Sequence, residues 1–212
     1  MQNQSTNGKE TTASLQAVST IPMTETSLIA CPIFEKELES VLAELNLAPS
    51  INYMHYTIHT NPLMMEEQLS EKVVTGRGDN KKIRFLVGKH CKGLRDMTEV
   101  VAGCNGKIPQ AVNCIDMLIG DELTQKLQKN RTSLMTPAWV RMINRSIADG
   151  QWSVPDARLN LGWYNKILIL DTGVDPLSDE QIMEFFDLTQ VEIDILPVDL
   201  KHFKALLQDL LL

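Results

Sequence analysis

No apolar run in this chain approaches the ~18 residues that a membrane span needs. The N-terminus also lacks the apolar core of a signal peptide. The chain is therefore expected to stay in the cytoplasm. There, Asn130-Arg131-Thr132 and Asn144-Arg145-Ser146, which match glycosylation sequons, go unused. A surplus of Lys and Arg is missing too. The formal net charge of -7 argues against a general nucleic-acid binder, whose affinity rests on cations at the phosphates. The four cysteines, Cys31, Cys91, Cys104 and Cys114, contain no CxxC pair. Their wide spacing argues against a disulfide framework and differs from that of a zinc finger. There is no GxGxxG after a strand, no GxxxxGK(S/T) and no GxSxG elbow. No repeat of about 20–50 residues is visible.

What is present is alternation. Residues 1–26 are rich in Gln, Asn, Ser and Thr and read as a disordered tail. Residues 27–212 read as one α/β domain. Apolar strand candidates begin at Ser27, Ile51, Ile83, Pro109, Ser133, Ile167 and Val191. Helical patterns lie between them, including 114–129 as one helix and a capping box from Ser178 to Gln181. About seven strands alternating with helices predict a Rossmann-like three-layer sandwich around a mostly parallel sheet. Gly150 to Tyr164 breaks the rhythm and reads as an inserted helix or a lid.

Ligands of open α/β sheets bind beyond the carboxyl ends of the strands. At those positions the sequence places Cys31, His59, His90 with Cys91, Cys114, Thr136 and Asp171-Thr172-Gly173. Cys31-Pro32, Asn61-Pro62 and Thr136-Pro137 each put a polar residue at a helix N-cap and proline at the first helical position. Helix N-termini favour anions, and they favour the thiolate of Cys31. Cys31, Cys91 and Cys114, with His59 or His90 as a fourth ligand, have the chemistry of a zinc site or an iron–sulfur cluster. Asn61, Lys92 and Thr136 are candidates for binding a small-molecule ligand, and Lys89 and Arg95 can meet its negative charge. The competing reading is structural, because cysteine is among the most buried residue types and often serves as a small apolar filler. Cys104, in the turn Gly103-Cys104-Asn105-Gly106, reads as incidental. His55 reads as a core histidine, His202 as a surface one, and Asp116 and Asp121 as complements to a helix dipole.

These motifs occur in a definite order: Cys31 before an amphipathic helix, His59-Thr60-Asn61-Pro62, Gly88 to Leu94, Cys114-Ile115-Asp116, Thr136-Pro137-Ala138-Trp139 and Leu170-Asp171-Thr172-Gly173. In that order they resemble a bacterial and archaeal family, domain of unknown function sixteen thirty-eight, over about Leu28 to Leu212. The family usually has a Cys–Gly rich turn at Lys89 to Gly93, and Pro–Gly–Trp where this chain has Pro137-Ala138-Trp139. The resemblance implies a setting beside corrinoid-dependent methyltransferases in anaerobic one-carbon metabolism. It also implies a function for Cys31, Cys91 and Cys114, which fall inside the motifs. Three readings stay open: a metal-binding α/β protein, an accessory protein holding a small anionic or corrinoid-type ligand, and a thiol-dependent enzyme with Cys31 as nucleophile.

Overall fold

A computed structural model describes residues 21–59, 63–78, 81–90 and 101–212 of the chain. The expected alternation is present, but the described strands form two parallel sheets of three rather than one sheet of about seven. In the first, β1 (Ile21–Ala30) lies between β2 (Leu47–Tyr53) and β3 (Lys82–Leu86). In the second, β5 (Lys166–Asp171) lies between β4 (Thr132–Met135) and β6 (Glu192–Pro197). All four pairings are parallel, so within each sheet the strands end at one edge.

Sequence accounts for the individual elements. Helix α1 (Glu35–Leu45) follows a 3₁₀ turn at Pro32–Phe34 and buries Leu38, Val41 and Leu42 at helical spacing. It stops at Asn46, which takes the left-handed conformation at φ 56. Helix α2 (Leu63–Gly78) returns the chain to β3. The helix expected over 114–129 is two, α3 (Cys114–Ile119) and α4 (Asp121–Leu127). Gly120 between them sits at φ +83, which no helix tolerates and which glycine adopts at little cost. Helix α5 (Pro137–Ala148) starts on the Thr136 cap, and the segment from Gly150 contains α6 (Val154–Leu161), capped by Ser153 and Asp156. The capping box of Ser178 and Gln181 opens α7 (Asp179–Thr189) as expected, and α8 (Lys201–Leu211) ends the chain.

The strand expected from Pro109 is absent. Its segment runs beside β3 without a ladder, touching it through an isolated bridge between Arg84 and Lys107. Beyond β3, the amides of Lys89 and His90 donate to the carbonyls of Ala111 and Val112 at 3.1 and 3.0 Å. The two backbones approach so closely at Gly88 that a Cβ there would stand 2.6 Å from both Asn113 Cα and the Val112 carbonyl. Backbone on both sides cannot yield as a flexible side chain would. Gly88→Ala should therefore destabilise the protein by about 1–3 kcal/mol, the usual range for overpacking. Urea denaturation checks this, and an unchanged midpoint would contradict the packing described.

The two sheets share a core. One cluster of buried side chains includes Leu28, Ile29 and Phe85 of the first sheet, Leu134 and Leu170 of the second, and Phe203 and Leu207 of α8. Phe34 and Phe203 stack across it with ring centroids 5.0 Å apart. A smaller cluster, with Val140, Ile169 and Phe185, lies within the second half.

Candidate functional site

A cleft of about 240 Å³ opens beyond the ends of β1 and β4, where the two halves meet. Pro32, Ile33, Glu35, Lys36 and Glu37 line it from the first half, with Tyr56. Pro137, Ala138, Arg141, Met142 and Arg145 line it from α5, with Asp175 from the loop after β5. The parallel sheets explain the location. β1 and β4 each end in a polar residue followed by proline, Cys31-Pro32 and Thr136-Pro137, and each proline turns the chain into a helix beside the cleft.

The α5 side is built for negative charge. Thr136, 1 % exposed, accepts a hydrogen bond from the Trp139 amide at 3.3 Å and so satisfies one of the orphan donors of the helix start. Ala138, just after Pro137, has no helical carbonyl behind its N–H, and the helix dipole adds partial positive charge there. Arg141 and Arg145 follow one turn apart on the same helix. Arg141 also anchors the loop: Nη1 meets Asp175 Oδ2 at 2.7 Å and Nη2 donates to the Pro176 carbonyl at 2.9 Å. The Arg145 guanidinium lies 4.3 Å from the Tyr56 ring centroid, and its Nε is 3.6 Å from Asp149. Tyr56 donates its hydroxyl to Asp149, and that bond holds the phenol above its usual range.

The α1 side carries carboxyl groups. Lys36 pairs with Glu39 at 2.9 Å, but among the described residues neither Glu35 nor Glu37 has an ion-pair partner. Glu37 is 3 % exposed and accepts a hydrogen bond from Thr172 Oγ1 at 3.1 Å, across the junction of the halves. Burial pushes its carboxyl above the ordinary 4.5; its own backbone N–H and Thr172 oppose the shift, and Asp175 adds to it. Above pH 4.5 the unfolded chain loses this proton first, so folding stability falls as pH rises through the folded-state value and then levels off. Glu37→Gln should remove that loss. The variant should gain stability relative to the parent at neutral pH and match it more closely below pH 4.5. Denaturant midpoints across the range check this, and a difference that does not change with pH would contradict it.

The residues singled out by sequence distribute unevenly. Cys31 is 4 % exposed, belongs to the shared core, and donates its amide to the Leu86 carbonyl at 3.1 Å. Cys114 is the first residue of α3 and packs partly buried against the same core. Cys31, Cys104 and Cys114 are thiols rather than disulfides. His90 is exposed, with its amide on the Val112 carbonyl. His59 ends the 3₁₀ turn Tyr56–His59 rather than a strand, and its side chain lies outside the described set. Asn61, Cys91, Lys92 and Arg95 lie outside the described residues. Among the described residues, no three His, Cys, Asp or Glu side chains converge as metal ligands, and no helix is long and apolar enough to cross a membrane. Thr136 caps α5, as its position before Pro137 predicts.

Sequence reasoning missed Glu37, Arg141 and Arg145. A glutamate in the first turn of a helix reads as a dipole complement, and arginines on an amphipathic helix read as its solvated face. The available signal was the pair of matching strand–Pro–helix junctions, which puts the first turns of both helices at one edge.

No curated protein and no solved structure matches the chain. A family model does, over residues 53–207, from the last residue of β2 to α8, leaving Cys31, Glu35 and Glu37 before the matched segment. That segment is most of the chain, which therefore belongs to the family described as Protein of unknown function (DUF1638).

Proposed function

We propose that this protein binds a small molecule bearing an anionic group in the cleft between its two halves. The observation that carries the reading is the convergence on one cleft of the α5 N-terminus with Arg141 and Arg145. Free N–H groups at a helix start and guanidinium forks are the groups that hold carboxylates and phosphates. The apolar lining from Ile33, Pro137, Ala138 and Met142 suits a short hydrocarbon body, in the pattern of ligand sites with an apolar wall and a few polar anchors. This is the accessory-protein reading of the sequence, which gave the binding to helix N-termini with Lys89, Lys92 and Arg95, with Arg141 and Arg145 as the cations instead.

Thermal unfolding with isocaproate, a branched monocarboxylate, tests it. A ligand at 100 times its Kd stabilises the native state by about 2.7 kcal/mol. For a chain of this size that corresponds to roughly 5–10 °C. Isocaproate should raise the midpoint in a saturable way, and chloride at equal ionic strength should not. Equal shifts from both salts would reduce the effect to ionic strength and defeat the proposal.

A further inference from the structure

The geometry points to a zwitterion, a molecule carrying an ammonium and a carboxylate on a short apolar body, as the class of ligand this cleft takes. The inference rests on the anion reading above and goes beyond it by using the other wall. The cleft has two walls of opposite character. From α5 come Ala138, at the start of the helix, with Arg141 and Arg145; from α1 come Glu35 and Glu37. An anion alone would bring its charge near Glu35, which has no ion-pair partner among the described residues to offset it. A cation alone would face the guanidinium and the positive end of the helix. A ligand with both charges leaves neither repulsion standing, and its ammonium can donate to the carboxyls as its carboxylate accepts from α5.

Burial makes the acidic wall selective. Glu37 is 3 % exposed and accepts a hydrogen bond from the neutral hydroxyl of Thr172, and the Arg141 charge that acts on it is already paired with Asp175. An ammonium at the cleft would add a countercharge that Thr172 cannot supply and that Arg141 shares with Asp175. Ile33 and Met142 add apolar lining that suits an aliphatic side chain. The dimensions agree: a space of about 240 Å³ accommodates a single amino acid rather than a nucleotide or a peptide.

The test uses three matched probes on the full chain: leucine, isocaproate, which lacks the ammonium, and isoamylamine, which lacks the carboxylate. Affinities are read from amide chemical shifts of the cleft residues. Leucine should bind at least about tenfold more tightly than isocaproate, and isoamylamine should bind more weakly than either. In a variant carrying Glu35→Gln and Glu37→Gln, the leucine advantage should disappear, with isocaproate affinity held or raised. Equal affinity of leucine and isocaproate for the parent protein would overturn the zwitterion class and leave the anion site standing. Isoamylamine binding as tightly as leucine, or no cleft response to any probe, would overturn both.

Discussion

Phe203→Ala should lower the stability of the protein by about 3–5 kcal/mol, the usual range for emptying a fully buried aromatic site. For a chain of this length that is roughly 10 °C in thermal midpoint. Phe203 is fully buried, stacks on Phe34, and belongs to the cluster that joins Leu28 of one sheet to Leu170 of the other. The truncation leaves a cavity at the seam, where neither half can collapse into it without moving against its neighbour. The Lys204 to Glu44 ion pair beside it holds α8 to α1 but is partly exposed and too weak to compensate. Phe186→Ala is the matched control. That ring is 38 % exposed on α7, and its loss should cost clearly less. If the two variants unfold at the same midpoint, the shared core does not hold the halves together.

Arg141→Ala should weaken isocaproate binding by about tenfold or more, the effect of losing a charge-assisted hydrogen bond worth about 1.5–3 kcal/mol. Two consequences act in the same direction. The cleft loses a cation, and Asp175 loses the 2.7 Å partner that neutralises it, so the remaining carboxylate repels an incoming anion. The loop that Arg141 anchors through the Asp175 and Pro176 carbonyls also loses its tie to α5. A companion change, Asp175→Asn, separates these effects. It removes the repelling charge, keeps a side chain that can still accept from Arg141, and should bind isocaproate at least as well as the parent protein. Titration calorimetry on both variants decides the matter. Undiminished affinity in Arg141→Ala would remove this residue from the site.

Sequence patterning carried the local structure well wherever one element could be read alone. Ile167-Leu168-Ile169-Leu170 is apolar on both faces because β5 is the central strand of its sheet. Thr136-Pro137 announces α5 because cap and proline are both local devices. The expected strand at Pro109 failed for a non-local reason. Its backbone meets β3 at Lys107 and the segment beyond β3 at Ala111 and Val112, yet a proline and the tight approach at Gly88 keep it from closing a ladder. The division into two sheets was likewise invisible, because alternation fixes the order of elements and says nothing of which strands pair.

The edge that carries the cleft was legible in the sequence, and the charged groups that line the cleft were not. Collecting residues at the strand ends singled out Cys31-Pro32 and Thr136-Pro137, whose prolines line the cleft. The cysteine itself, however, points its energetics into the core, where a small polarizable side chain is a good filler. The groups that line the cleft sit one turn further on, at Glu35, Glu37, Arg141 and Arg145, where amphipathic patterning assigns charge to solvent. Only the meeting of two helices from distant parts of the chain brings those charges to one cleft.

The most direct test of the account is a titration of isotope-labelled protein with isocaproate, followed through backbone amide shifts. The largest saturable changes should fall on Ile33, Ala138 and Trp139, with Arg141 and Arg145 following, and the hollow of about 440 Å³ near Gly120 and His202 should stay silent. Changes centred on Gly120 and His202, or no saturable change at the ends of β1 and β4, would contradict it.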